Sequence, residues 1–379
     1  MKKNPNDMPL MHENEGIVLF HPHIPKNAIR YVNETLRSRW IGHGPKVEKF
    51  EIDFKKQFNI SGDCIAVGSG TDALHLGYLL ANLNKDDEVI VPLFTCTATN
   101  IPLLYIGAKL VFADINPKTL NISVEDLKAK ITEKTKLIVV VHYGGLPCDM
   151  DEINLLAKQY SIPVFEDAAH ALGAKYNGEY IGEISDFTMF SFQAIKHLTT
   201  GDGGMLVVKN KGLEKKSRRL RWFGIDREDK QKGIWENDIT EIGYKYQMTD
   251  IAASMGLAGL EEFSVTLKYR KKLYQRYLKN LKNNSDVLIV NDSDIRKEHA
   301  CWLFTIIVKN RLELQKKLRS KGIESGQTHY RNDRYSIFKN QSEYPNMDKI
   351  EDDYLILPLH IKMNIKNVDY ICDVIKEGW

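Results

Sequence analysis

The chain has 379 residues, enough for two domains with separate cores, and its 43% hydrophobic and 27% charged residues exclude disorder as the main state. A formal net charge of +3 gives no general pull towards nucleic acid or membrane. Five scattered cysteines (Cys64, Cys96, Cys148, Cys301, Cys372), with no CxxC spacing, argue against a disulfide framework or a zinc site and fit reduced thiols in a cytoplasm.

Residues 1–16 are polar, hold Pro5 and Pro9 but no apolar core of a signal peptide, and read as a flexible arm. Nothing further along reaches the apolar length of a membrane span. From 64 to 208 short apolar runs alternate with helix-like segments. Strands are expected at 64–67, 88–92, 109–113, 137–142 and 162–167, with helical spacing over 71–81, 98–107 and 151–160. Two more strands, 186–191 and 204–208, flank a glycine-rich loop. A long helix follows from 249 to about 283, and then a mixture that includes a strand at 302–308 and a helix at 312–321. The pattern predicts an α/β fold. A large domain, 17–260, carries a mostly parallel, helix-covered sheet, and a smaller α+β C-terminal domain takes up 261–379.

Ligands of such sheets sit outside the carboxyl ends of the strands, and the polar residues that stand out lie there. Gly68-Ser69-Gly70-Thr71-Asp72 ends one strand and opens a helix, so its free N–H groups, with the Thr71 hydroxyl, suit a phosphate as well as an ordinary strand–helix turn. Asp167 ends the apolar run 162–165 and needs a cationic partner or a helix to cap. His170 is either a contact of a bound ring or a packed core histidine. Lys196, between Ile195 and His197 in the loop closing on Gly201-Asp202-Gly203-Gly204, is poorly placed for a merely solvated charge. Desolvation there favours a neutral, nucleophilic amine. Ser191, at the preceding strand end, is a second phosphate donor. A carboxylate for a pyridine nitrogen, a lysine for an aldehyde and a helix start for a phosphate together describe a site for pyridoxal 5'-phosphate.

Taken in order, Trp40-Ile41-Gly42-His43-Gly44-Pro45, Gly70-Thr71-Asp72-Ala73-Leu74, Glu166-Asp167-Ala168-Ala169-His170, Ser191-Phe192 with Lys196, Gly201-Asp202-Gly203-Gly204 and Leu357-Pro358-Leu359-His360 resemble the DegT/StrS family of sugar aminotransferases. The resemblance runs over roughly 20–365. It implies fold type I (aspartate aminotransferase-like) and a homodimer with shared active sites. It further implies L-glutamate as amino donor, a nucleotide-diphospho-keto-sugar as acceptor, and pyridoxamine 5'-phosphate as the second form of the coenzyme. A 4-keto-6-deoxyhexose is the expected acceptor, in aminosugar or surface-polysaccharide biosynthesis. Two positions depart from the pattern. Cys96 stands where the family stacks an aromatic ring on the coenzyme, and Lys245 where it has an asparagine that reaches the partner's phosphate. A dehydratase branch has histidine at the lysine position, and retention of Lys196 favours transamination over that reaction, over a non-catalytic coenzyme-binding regulator and over a generic nucleotide-binding domain. For substrate contacts the sequence offers Arg221, in a basic stretch that is otherwise a solvated helix face, and the polar loop of His329, Tyr330 and Arg331.

Overall fold

The computed structural model describes residues 8–236, 238–338 and 342–379. Seven strands form the main sheet, in the spatial order Asp63–Val67, Gly204–Val208, Phe187–Ser191, Val164–Asp167, Thr135–Val141, Glu88–Pro92 and Lys109–Ala113. Neighbours from Phe187–Ser191 to Lys109–Ala113 are parallel, whereas Gly204–Val208 is antiparallel to both of its neighbours. Runs such as Val89-Ile90-Val91 and Leu137 to Val140 are buried along their whole length because helices cover both faces of the sheet. Each such side chain contributes roughly 1.5–3 kcal/mol of burial. All seven strands were expected from the sequence, as were helices Gly70–Leu80, Thr97–Ile106 and Met150–Tyr160.

Glycine decides how closely one helix can lie on this sheet. A Cβ on Gly77, in Gly70–Leu80, would come within 2.2 Å of the Phe165 ring. The helix therefore rests on Val164–Asp167, and its N-terminus projects past the strand ends.

The smaller C-terminal unit is a three-stranded antiparallel sheet, Leu288–Ile289, Phe304–Ile307 and Tyr354–Leu357, covered by helices Arg311–Ser320 and Ile365–Lys376. Its strand begins at Phe304 rather than at 302, because the N–H groups of Trp302 and Leu303 both go to the Gly144 carbonyl instead of to the sheet. One helix, Asp250–Leu281, joins the two units. Ala253, Leu257, Leu260 and Phe263 pack in the core of the large unit, while Leu273, Tyr274, Tyr277 and Leu281 pack in the small one.

Residues 1–7 of the expected arm lie outside the described residues. From residue 8 onward the segment packs on the C-terminal unit. The buried Glu324 carboxylate accepts the N–H groups of Met11 (3.0 Å) and Leu19 (2.7 Å). Among the described residues no helix is long and apolar enough to cross a membrane.

Candidate active site

Asp167 is the last residue of its strand, and no helix follows it to be capped. Its Oδ1 accepts the N–H of Ala169 (3.0 Å), closing a turn, and its Oδ2 accepts the Thr99 hydroxyl (2.7 Å). Thr99 is held in turn by Thr95, hydroxyl to hydroxyl at 2.8 Å. Burial pushes the Asp167 carboxyl above its ordinary range, and the two hydrogen bonds and the Lys196 amine pull the other way. The carboxylate is thus built in and oriented, with lone pairs left over.

His170 closes the same turn. Its Nδ1 accepts the Gly144 N–H (3.3 Å), and its ring stacks on Trp302 (3.9 Å between centroids, 17° between planes) and on His329 (5.5 Å, 5°). Burial first, and then the neighbouring Lys196, hold it well below the usual histidine value, so the imidazole is neutral.

Lys196 lies in a loop pinned at its neck. Phe192 N–H donates to Gly203 O (2.8 Å), Thr200 N–H to Phe192 O (2.9 Å) and Lys196 N–H to Gln193 O (2.9 Å). Gly201 supplies the left-handed backbone (φ +84°) that lets the loop return. The half-buried amine makes no hydrogen bond among the described residues, and its Nζ stands 3.8 Å from the centre of the Trp302 ring. Burial pushes it down to about 8, while Asp167 and Cys96 act upward. The adjacent His197 is committed elsewhere, its Nε2 lying 2.7 Å from the Ala300 carbonyl.

Helix Gly70–Leu80 points its N-terminus at this corner. Ser69 caps it, accepting the Asp72 N–H at 3.0 Å, while the N–H groups of Gly70 and Thr71 have no acceptor among the described residues. Gly204 pairs with both Val67 and Ser191, and a Cβ there would come within 2.4 Å of the Ser69 carbonyl. A Cβ on Gly70 would lie 3.3 Å from Ser191 Oγ. The two glycines therefore bring the hydroxyl of Ser191 beside the open helix start. Burial raises Asp72 to about 6.

The other expected residues scatter. Cys96 is exposed at the start of helix Thr97–Ile106, near enough to influence the Lys196 amine. His329 joins the cluster through its stack on His170, and its buried Nε2 has no partner among the described residues. Tyr330, in contrast, is exposed against Tyr335, and Arg331 is buried in ion pairs with Asp333 (2.8 Å), Glu351 (2.8 Å) and Asp348. Arg221 pairs with Glu51 (2.6 Å) and the Ala66 carbonyl (2.9 Å) behind strand Asp63–Val67. Lys245 is exposed and bonded to Gln247 (2.6 Å); one chain does not bring it to the lysine. Sequence reasoning missed Thr99 and Trp302. The repeat Thr95-x-x-x-Thr99 after a strand end was a usable signal for the first, while the second reads as core.

These residues fit pyridoxal phosphate. An oriented buried carboxylate, an amine without a hydrogen bond, an unpartnered imidazole nitrogen and a helix start with two free N–H groups beside a serine match its pyridine nitrogen, aldehyde, hydroxyl and phosphate in chemistry.

The model of the DegT/DnrJ/EryC1/StrS aminotransferase family matches residues 22–376. The chain is 35% identical over 367 residues to GDP-perosamine synthase of Escherichia coli O157:H7, covering 95% of this chain and 98% of that one. It is 32% identical over 385 residues to UDP-4-amino-4-deoxy-L-arabinose–oxoglutarate aminotransferase of Shewanella sediminis, covering 96% and 98%. Among solved structures, Spr1654 of Streptococcus pneumoniae in its PLP form superposes with a TM-score of 0.89 at 30% identity, over 96% of this chain and 98% of that one, and has also been solved in a PMP form. The fold, the corner built around Lys196 and these likenesses agree: the chain belongs to the DegT/DnrJ/EryC1/StrS family and is a pyridoxal-phosphate-dependent aminotransferase of fold type I.

Proposed function

We propose that the protein moves the amino group of L-glutamate to the keto carbon, at position 4, of a nucleotide-linked 6-deoxyhexose. The observation that carries the catalytic part is the Lys196 amine, lowered to about 8 and free of hydrogen bonds among the described residues, in the loop after Phe187–Ser191 and near enough for Asp167 to act on it. Support for the sugar comes from relatives named for perosamine and for a 4-amino-4-deoxy sugar, and support for the donor from the oxoglutarate in one of those names. Pyridoxal phosphate, when bound, supplies an aldehyde that exchanges one amine for another and a ring that takes up the electron pair of a deprotonated carbon.

The chain's own residues do the rest. Lys196 would hold the coenzyme through its Nζ, and the same Nζ, when free, takes the proton from the carbon next to nitrogen. The same amine returns a proton in the second half of the cycle. Asp167, fixed by Thr99 and Ala169, holds a proton at the ring nitrogen. The Gly70 and Thr71 N–H groups and the Ser191 hydroxyl bind the phosphate and stop the ring from turning. His170, stacked between Trp302 and His329, presents its neutral ring edge.

We further propose a homodimer. The segments around 40–43 and 222–245 touch through Arg227, which donates to the His43 carbonyl (2.5 Å), and they expose Trp40, Ile41, Phe223, Trp235, Ile239 and Ile242. Exposed apolar side chains on touching segments call for a cover, and a second copy would bring Lys245 to a neighbouring site.

The test is the absorbance spectrum of the purified protein with pyridoxal phosphate, before and after L-glutamate. Loss of the visible band of lysine-bound coenzyme, with growth of the near-ultraviolet band of pyridoxamine phosphate, is expected. A spectrum that ignores glutamate overturns the donor, and failure to bind the coenzyme overturns the site.

A further inference from the structure

We propose that Trp302 is a positioning residue for Lys196, holding its amine on the indole face whenever that amine is free of the coenzyme. This rests on the reading above that Lys196 carries the coenzyme. The indole is fixed on several sides. Its Nε1–H donates to the carbonyl of Ile195 (3.0 Å), the residue just before the lysine. Its ring stacks on His170 at 3.9 Å and on Phe20 at 5.7 Å, and its backbone N–H is tied to Gly144, whose own N–H holds His170. The amine at 3.8 Å from the ring centre is well within the roughly 6 Å over which a cation feels an aromatic face.

Two features tie this indole to the lysine. Its N–H is bonded to the lysine's own loop, and the Lys196 amine stands over its face without a hydrogen bond among the described residues. The physical consequence is a tether of chosen strength. A free lysine side chain has many rotamers, and collecting it on one surface restricts them near the reacting carbon. Because the ring attracts only the charged form, loss of a proton releases the amine.

Other groups also face this amine: Asp167 from its strand, Cys96 from the helix start, and His170, His197 and His329 from the surrounding loops. Burial holds His329 down at about 3 and the other two imidazoles well below their ordinary value, so they stay neutral around pH 8. Cys96 is removed from the measurement by working in a C96S background.

The experiment uses the full chain freed of coenzyme and follows covalent capture of pyridoxal phosphate by absorbance as a function of pH. The five tryptophans are replaced biosynthetically by mono-, di- and trifluorotryptophan, which keep the indole shape and progressively weaken its face. The midpoint of the pH profile is expected to fall stepwise, by about one unit across the series. In a W302F background, where the other four tryptophans remain, fluorination is expected to change nothing. A midpoint constant across the series, or one that moves equally in W302F, overturns the proposal. Absence of capture at every pH overturns the role of Lys196 itself, and the proposal with it.

Discussion

Lys196 is charged in an unfolded chain up to about pH 10, but in the fold its amine is lowered to about 8, first of all by burial. The neutral amine is the nucleophile. Covalent capture of the coenzyme should therefore speed up as pH rises through about 8 and level off well before 10.5, which stopped-flow absorbance would read. The same sign holds for stability. Between these two values the unfolded chain binds the proton and the folded one does not, so this group favours folding more as pH rises through that window. Lys196→Ala should leave circular dichroism unchanged, abolish the visible band and reduce turnover by about 10⁴-fold or more. Asp167 and Lys196 were legible in the sequence because each interrupts an apolar or glycine-rich stretch with a charge that needs a partner. Trp302 and Thr99 were not, since an indole inside an apolar run looks like core and a threonine carries no charge to explain. Arg221 and Arg331, offered as substrate contacts, are instead held in ion pairs within the chain. A guanidinium suggests an anionic ligand, but here the anions are Glu51, Asp333, Asp348 and Glu351, most of them remote in sequence.

Among the elements, Gly204–Val208 has the most demanding position. It lies between Asp63–Val67 and Phe187–Ser191, and its first residue backs onto Ser69 and Gly70. Gly204→Ala would set a methyl group 2.4 Å from the Ser69 carbonyl, so strand and helix start must separate. The expected cost is about 1–3 kcal/mol in denaturant unfolding. Loss of a phosphate hydrogen bond at the shifted helix start should weaken pyridoxal phosphate binding about tenfold or more, measured by equilibrium titration. The apolar runs made every strand of the main sheet visible beforehand. Helix Pro45–Gln57 went unassigned although Val47, Phe50 and Phe54 mark its inner face, because its many charges hide the apolar spacing. The late start of the strand at Phe304 had no local signal, as it depends on a carbonyl at Gly144.

Across the whole molecule, helix Asp250–Leu281 enters two cores, so the expected boundary at 260 falls inside a rigid element rather than in a linker. Several exposed apolar side chains lie on the segments around 40–43 and 222–245, Ile242 at 81% and Trp235 at 71% exposed. If a second copy covers them, Ile242→Asp should convert a dimer into a monomer in light-scattering chromatography while leaving the thermal unfolding of the single chain nearly unchanged. A variant that stays dimeric would move the interface elsewhere. No single-chain pattern announces such a face, because its apolar residues are spread over separate loops that only the tertiary structure gathers.

The place of Gly204–Val208 in the sheet also dictates when the protein can first hold its coenzyme. During synthesis the strand Asp63–Val67 and the helix start at Gly70 emerge early, but Gly204–Val208, their neighbour in the sheet, is the last of the seven strands in the chain. Until that strand inserts, the phosphate cradle lacks its floor, and long-range pairing of this kind is slow. Nascent chains arrested before residue 204 should be unable to retain pyridoxal phosphate, and chains arrested far enough beyond 208 to clear the ribosome should begin to do so. Cofactor loading would then mark the closing of the sheet.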